Sequence, residues 1–449
     1  MYGWALRRLV LPVGDRITKQ RLLSRLEFLR EAQWWPIERV ESWRNERLRE
    51  LARTAYEEVP LYRRLFDSVG VHWRDIRDAD DLRRLPVVTK AMLRNAYPNE
   101  STRDTGLPWR IESSSGSTGE PFLIREDSET AGWHRASFML SLEWAGWRMG
   151  EAHIQTGASL DRGWERIAKD VMLRCHYVPS MHLDDESLDR VLDTIDRRGI
   201  RHLWGYPCAL DALAQRAAAV AWNGSPMNSV VTWADQLYPH YRSRIERVFR
   251  TQVLDTYGCG EGIQISAQCG HGRHYHVLMM DTVVEYVDST GEPVRDGEPG
   301  RVLLTRLLPG AMPFIRYEVG DVGVRAPHQV CTCGRQWELM QSITGRQTDV
   351  VVDPSGRRFF VHFFSLYLES FPEIREYQVI QTGPDSVHIR AVCNVETPDL
   401  GARVAAHLQS AGLTEMAIHF EPVSAIPLTA AGKRRWVIGY SAEPPKVAA

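Results

Sequence analysis

Four hydroxyl side chains and two glycines are concentrated in Ser114–Pro121, read SSGSTGEP, between two strand-like runs, Trp109–Glu112 and Phe122–Arg125. Glycines let the backbone N–H groups of such a turn line a concavity, and hydroxyls beside them add donors; together they suit a polyphosphate. Hydrogen bonds to a charged acceptor contribute roughly 1.5–3 kcal/mol each, so about four of them are enough to hold a triphosphate. The turn is not a Walker loop, because Glu120 and Pro121 follow the last glycine where that motif has Lys and a hydroxyl residue. A second group is built on sulfur and imidazole: Cys269, His276, Cys331 and Cys333, with His271 and His274 as rival ligands. Cys-x-Cys-Gly is a tight turn, and tetrahedral zinc accepts three thiolates and one imidazole.

The elements that must position these groups follow from periodicity. From about residue 15 to 70, apolar side chains recur every three or four positions with Arg and Glu between them, and the stretch reads as helices that end before Pro60. Such a basic amphipathic start either packs on the main domain or touches a membrane surface. The segment LPVVTKAML then leads into the Ser/Gly turn. Beyond it come a helix rich in aromatics (WHRASFMLSLEWAGW), a strand-like HIQTG and a helix LDDESLDRVLDTIDRRG capped by Gly199. IRHLWGYP, SVVTWA and QVLDTYG read as strands separated by the helices ALDALAQRAAAVAW and YPHYRSRIERVFR. Alternation at this spacing predicts βαβ units and a largely parallel sheet. Ligands in such sheets sit beyond the carboxyl ends of strands, where GYPCAL, TWADQL and DTYGCGE fall.

After Cys269 the runs HVLMMDTVVEYVD, GRVLLTRLL and PFIRYEVGDVGVRA predict an antiparallel β-subdomain at about 265–345. The expected architecture is therefore α/β: a large N-terminal domain, 1–346, with mostly parallel sheets flanked by helices plus this β-subdomain. A small mobile α+β domain, 347–449, follows, with a helix near Val361–Phe371, strands YQVIQTG, SVHIRAVC and MAIHFEPV, and the loop IPLTAAGKRRW.

A chain of 449 residues with 43% hydrophobic and 25% charged residues belongs with ordinary globular proteins and is long enough for two or three domains. A formal charge of −2 argues against a dedicated nucleic-acid binder. No apolar run reaches the length of a transmembrane helix, and the start, with Arg7 and Arg8 inside its apolar run, does not read as a signal peptide. Seven cysteines, an odd number, fit a reducing cytoplasm. Of these, Cys175, Cys208, Cys259 and Cys393 read as small buried hydrophobes.

Five ordered segments, SSGSTGEP, DTYGCGE, PFIRYEVGD, ITGRQTD and IPLTAAGKRR, resemble the adenylate-forming superfamily of acyl-CoA ligases and adenylation enzymes. The short N-terminal layout with LPVVTKAML before the loop looks like the phenylacetate–CoA ligase branch, near the relatives known as capsule polysaccharide biosynthesis proteins. The resemblance implies that a carboxylate attacks the α-phosphate of Mg-ATP, giving an acyl-adenylate and pyrophosphate, and that the adenylate then meets a thiol of CoA or a carrier protein. Transfer to an amine or hydroxyl in polysaccharide or natural-product assembly is the alternative. A non-catalytic nucleotide- or zinc-binding module is a third reading, against which the joint presence of Glu261, Asp321 and Lys433 speaks.

Residue by residue, Ser114, Ser115, Gly116, Ser117, Thr118 and Gly119 match the family's phosphate loop. Tyr257 and Gly258 match the segment on adenine, Glu261 the acid that holds Mg²⁺, and Asp321 the acid that binds the ribose hydroxyls. Arg346 matches the arginine at the domain junction and Lys433 the lysine that meets the reacting groups; Lys433, Glu261 and Thr118 form the expected catalytic set. GRQTD departs from the usual GRxDD at Thr348, and Asp235 stands where an acid near adenine is more often Glu. The branch also resembles this chain in its Cys-x₆-His and Cys-x-Cys elements, which implies a structural zinc on Cys269, His276, Cys331 and Cys333. The acid pocket is expected between the aromatic helix Trp133–Trp147 and the strand ends near Trp204, Tyr206, Trp233 and Tyr257, which favours an apolar or aromatic carboxylic acid. His134, Arg135 or Asp235 could meet a polar tail. Partners are the acid and CoA or an acyl-carrier protein, with a homodimer left open.

Overall fold

The computed structural model describes residues 2–114, 122–157, 162–180, 183–234, 237, 239–327, 329–344, 351–359, 361–368, 370–395, 397–426 and 436–440. The chain opens with helices α1 (Tyr2–Ala5), α2 (Leu11–Thr18), α3 (Leu22–Ala32), α4 (Ile37–Glu58), α5 (Pro60–Ser68) and α6 (Lys90–Ala96). The antiparallel hairpin β1 (Trp109–Ser114) and β2 (Phe122–Asp127) presents the Ser/Gly turn at its tip. Then follow α7 (Ser128–Trp144), β3 (His153–Gly157), α8 (Trp164–Leu173), β4 (Cys175–Pro179), α9 (Asp185–Arg198), β5 (His202–Gly205), α10 (Pro207–Ala219), β6 (Ser229–Thr232), α11 (Pro239–Phe249) and β7 (Val253–Cys259). The next strands are β8 (Ile263–Gln268), β9 (Tyr275–Val277), β10 (Thr282–Val287), β11 (Pro299–Arg306), β12 (Tyr317–Arg325) and β13 (Leu339–Thr344).

Local chemistry accounts for these boundaries. Asp127 caps α7 by accepting from the Thr130 amide at 2.8 Å, and Asp184 does the same for α9 through Ser187 at 2.8 Å. Gly199 closes α9 in the left-handed conformation, as its sequence position predicts.

The predicted parallel sheet and antiparallel β-subdomain are two halves of a single eleven-stranded sheet, ordered β10-β11-β12-β13-β9-β8-β7-β6-β5-β3-β4. They join at β7, which pairs parallel with β6 and antiparallel with β8. Because β5, β6 and β7 are neighbours running the same way, their carboxyl ends bring Gly205, Thr232 and Tyr257–Cys259 to one edge. One face of the sheet is covered by a core shared with α3, α4 and α7, including Leu29, Leu48, Leu140 and Ile265; the other packs on α9, α10 and α11 through Ile195, Leu210 and Ile245.

Three features were not anticipated. β8 is buried at every position, so it carries no alternation to read, and HVLMMDTVVEYVD is broken into β9 and β10 by a turn at 278–281. The helix α8 has no buried residue, and its apolar stripe faces outward.

The remaining strands and helices are β14 (Val351–Val352), β15 (Arg358–Phe359), α12 (Val361–Leu368), β16 (Ile374–Gly383), β17 (Ser386–Cys393), α13 (Leu400–Ser410), β18 (Ala417–Pro422) and β19 (Val437–Ile438). Strands β18-β17-β16-β19 form a separate sheet with its own core, including Phe363, Val379, Ile389 and Val404.

Candidate active site and candidate metal centre

Side chains from the end of β7, from Glu261 just beyond it and from β12 reach one another, and four of the candidate site meet there. Tyr257 donates its hydroxyl to Asp321 Oδ2 at 2.9 Å, so the residues matched to adenine and ribose are in direct contact. Burial first, and then the Asp321 charge, push the Tyr257 hydroxyl well above its ordinary value, which keeps it a donor. Glu261 is 4% exposed and accepts from the Tyr317 hydroxyl at 2.7 Å, while the Lys90 ammonium sits 3.2 Å from the same oxygen. Burial works against the Glu261 charge, but Lys90, then the Tyr317 hydroxyl and the Cys259 thiol, more than reverse it, and the carboxyl titrates below its ordinary value. A buried, ionised carboxylate offers the oxygen donor that a divalent cation, a hard acid, takes. Gly262 turns the chain after Glu261 at φ +72, and a Cβ there would come within 2.7 Å of Glu126 Oε1, so only glycine fits this return.

Lys90 and Tyr317 lie within LPVVTKAML and PFIRYEVGD, but neither residue type at a helix or strand start signals chemistry. Their placement has a clear cause. Val88 bridges in parallel to Tyr317, with the Val88 amide donating to the Arg316 carbonyl at 2.9 Å and the Glu318 amide to Val88 at 2.9 Å. Thr89 then caps α6 by accepting from the Met92 amide at 3.2 Å, which turns Lys90 inward over Phe122 at 5.4 Å from the ring centre. Phe122, the first described residue after the Ser/Gly turn, stacks on Tyr317 with centroids 6.3 Å apart. Cys259, beside Glu261, has its thiol pushed well above the ordinary value by burial and the Glu261 charge, which leaves it no thiolate character.

Ser115, Gly116, Ser117, Thr118, Gly119, Asp235, Arg346 and Lys433 lie outside the described residues, as does the side chain of Ser114. Gly258 lies on β7 at a bulge between it and Tyr257, with the Ile263 carbonyl 2.9 Å from the site of a Cβ. Of the four residues expected to line the acid pocket, Trp204, Trp233 and Tyr257 pack in one apolar cluster, whereas Tyr206 packs against the other. Trp204 is buried among aromatics, stacked on His153 at 3.7 Å and edge-on to Trp147 at 5.0 Å. Trp233 is half-buried and meets Phe138 of α7 edge to face at 5.3 Å, while the Tyr206 amide donates to Thr156 Oγ1 at 3.1 Å. Of the α7 aromatics, Trp133 packs with Phe28 and Trp144 with Trp337, so they serve the core.

The sulfur and imidazole group does assemble. Cys269 follows β8, His276 lies on β9, and Cys331 and Cys333 lie in the turn between β12 and β13; their ligand atoms all fall within 4.8 Å of one another. Cys269 Sγ and Cys331 Sγ are 3.7 Å apart, and Cys333 Sγ is 3.4 Å from His276 Nε2. With Zn–S near 2.3 Å and Zn–N near 2.0–2.1 Å, the edges of a tetrahedron are about 3.8 Å between sulfurs and about 3.6 Å between sulfur and nitrogen. The spacing therefore fits one zinc ion. Burial pushes the Cys333 thiol up, but hydrogen bonds from His276 and Arg335 bring it down to about 5, whereas burial pushes Cys269 up to about 12. Of the rival histidines, His274 pairs instead with Gln329 at 2.9 Å, and neither it nor His271 belongs to the group.

Comparison with known proteins adds a second, independent line. Residues 173–307 match the AMP-binding enzyme family. The phenylacetate-coenzyme A ligase of Thermus thermophilus is 28% identical over 368 residues, covering 78% of this chain and 80% of that protein. The phenylacetate-coenzyme A ligase of Escherichia coli K12 is 27% identical over 332 residues, covering 70% of this chain and 73% of that protein. Over this segment and in these two ligases, the chain is similar to the adenylate-forming enzymes. The AMP-binding match and the ligase relatives together support an AMP-forming ligase. Its fold agrees: a crystal structure of 2-hydroxyisobutyryl-CoA ligase with 2-HIB-AMP and CoA in the thioesterification state superposes with a TM-score of 0.61, at 20% identity over 90% of this chain and 91% of that one. An open conformation of the same ligase superposes with a TM-score of 0.57, at 20% identity over 89% and 91%. None of the described helices is long and apolar enough to cross a membrane.

Proposed function

We propose that this ligase activates an apolar or aromatic carboxylic acid with ATP and transfers the acyl group to the thiol of CoA or of a carrier protein. The observation that carries the reading is the meeting of Glu261, Lys90 and Tyr317 with the Tyr257–Asp321 pair where side chains of β7 and β12 meet. An oxygen of the substrate carboxylate forms a bond to the α-phosphorus, and the bond from phosphorus to the pyrophosphate oxygen breaks, its electron pair leaving with pyrophosphate. The thiol then adds to the acyl carbon, AMP leaves, and the thiol proton passes to solvent. Bound at Glu261, Mg²⁺ would offset the phosphate charge. Asp321, which accepts from Tyr257, keeps lone pairs for ribose hydroxyls, since a carboxylate offers about four acceptor positions. Ser114–Gly119 hold the β- and γ-phosphates, Arg346 and Asp235 border the nucleotide, and Lys433 supplies a mobile positive charge as charge builds on the reacting oxygens.

The contact of Phe138 with half-buried Trp233, beside Tyr206 at the end of β5, supports an apolar or aromatic acid. Zinc on Cys269, His276, Cys331 and Cys333 would tie β8 and β9 to the β12–β13 turn and take no part in acyl transfer. The test is acid-dependent exchange of labelled pyrophosphate into ATP across a panel of acids, followed by thiol acceptors. Lys433→Ala should lower exchange by several orders of magnitude while ATP still binds. Near-normal exchange in that variant would reject the role given to Lys433, and no exchange with any acid would reject the reading as a whole.

A further inference from the structure

The N-terminal helical stretch and α8 each show water an apolar face that a globular enzyme normally buries. In α8, Trp164, Ile167 and Val171 share one stripe and are 77%, 54% and 73% exposed. At the N-terminus, Trp4, Leu9, Val13 and Ile17 are 60%, 61%, 55% and 76% exposed, while among the described side chains of that stretch Leu6 is buried in the core and Leu11 is half-buried against it. The two surfaces meet where Tyr2 donates its hydroxyl to the Met172 carbonyl at 2.5 Å and the Arg174 guanidinium lies over the Tyr2 ring at 5.7 Å. Large contiguous apolar patches on soluble proteins mark contact sites, whereas single exposed apolar residues do not.

The charge around this patch selects the partner. Residues 1–21 carry Arg7, Arg8, Arg16, Lys19 and Arg21 against Asp15 alone, five positive and one negative for a net +4, in a chain whose formal net charge is −2. Asp15 is also turned inward: its two oxygens accept from the amides of Leu22 at 2.8 Å and Leu23 at 3.0 Å, which fixes the turn from α2 into α3. Arg8, Arg16 and Lys19 are exposed, so the surface left to solvent is apolar with a cationic border. A second copy seated on this patch by two-fold symmetry would bring each set of cations against its own image, which disfavours self-association. A negatively charged bilayer satisfies both parts at once: outward Trp and aliphatic side chains enter the interface, and Arg and Lys meet anionic headgroups.

We propose that residues 2–18 and α8 together form a docking surface for an anionic lipid bilayer, so that this enzyme works at a membrane surface without spanning it. The experiment is flotation of the full-length protein with vesicles of equal parts phosphatidylglycerol and phosphatidylcholine, beside vesicles of phosphatidylcholine alone. Binding should favour the anionic vesicles and weaken as salt rises. A Trp164→Ser, Val171→Ser double variant should bind about tenfold or more weakly, since each side chain loses apolar burial in the interface. An Arg8→Glu, Arg16→Glu variant should lose the preference for anionic lipid by a similar factor. Both pairs lie at exposed positions, and an unchanged melting temperature verifies folding in each. Failure of the wild type to float, equal binding by both vesicle types, or undiminished binding by both variants overturns the proposal. So does a wild-type dimer in sedimentation velocity that the Trp164→Ser, Val171→Ser change makes monomeric, because the patch would then be covered by a second copy.

Discussion

Lys90→Met isolates the contact on which the candidate site depends. Lys90 Nζ lies 3.2 Å from Glu261 Oε1, with side chains 17% and 3% exposed. At an effective dielectric of about 20, two unit charges at that distance attract by about 5 kcal/mol, and desolvation of both groups offsets much of this. Removing one partner is harsher than removing both, because the other charge stays buried; such losses run to about 3–5 kcal/mol. Methionine keeps most of the lysine stem, so the packing on Phe122 survives and the loss reports the charge. Lys90→Met is therefore expected to destabilise the large domain by about 3 kcal/mol in equilibrium denaturant titration followed by tryptophan fluorescence. The double change Lys90→Met, Glu261→Gln should recover about 2 kcal/mol of that, as the coupling of a contacting pair requires.

The pH dependence provides a sign test for the same contact. In the wild type the Glu261 carboxyl is held below 4.5, its ordinary value, so its contribution is full above that pH and is lost as pH falls through the lower folded value. Without Lys90, burial acts on Glu261 against a weaker opposition. Its folded value then moves above the unfolded one, and stability from this group rises as pH falls. A Lys90→Met variant within about 0.5 kcal/mol of wild type, with unchanged pH dependence and no coupling to Glu261→Gln, would refute the reasoning, since that is the size of ordinary surface substitutions.

Other expectations concern separate groups. Cys333→Ser should remove about one equivalent of bound zinc and cost several kcal/mol of stability, below the roughly 10–16 kcal/mol of zinc-finger peptides because the strands also hold one another; metal analysis of purified protein that finds no zinc overturns the assignment. Tyr257→Phe loses the 2.9 Å bond to Asp321 and should raise the KM for ATP by up to about tenfold with a smaller change in kcat, a neutral hydrogen bond contributing about 0.5–1.5 kcal/mol; an unchanged KM counts against the Asp321 role. The His153 imidazole is lowered to about 4, chiefly by burial, whereas an unfolded histidine titrates near 6.5. Its contribution is therefore full above 6.5 and falls away as pH drops towards 4, which amounts to about 2 kcal/mol between pH 7 and pH 5. His153→Phe retains the stacking on Trp204 and should flatten that part of the stability profile; a profile identical to wild type would show that other groups set it.

Much of the fold was legible because its signals are local. The helix α9 announces itself with Asp184 in front and Gly199 behind, and β5, β6 and β7 appear as short apolar runs between helices. β8 was missed because a strand buried on both faces loses the alternation that marks strands, and α8 because its apolar stripe is turned outward, against the rule that reads such a stripe as core. Motif order gave Tyr257, Glu261 and Asp321 in advance, yet not their contacts. Those depend on side chains of β12 reaching the end of β7 and on the pairing of Val88 with Tyr317, contacts between residues far apart in sequence. The acid pocket was the least legible part, since tryptophan serves packing and recognition with the same chemistry. Trp204 illustrates this: its position at a strand end suggested substrate, but β5 turns its ring into the core, against His153 and Trp147. Composition indicates that aromatic side chains are abundant; only the direction of each one from its strand or helix decides whether it meets a ligand, and that direction is set by register.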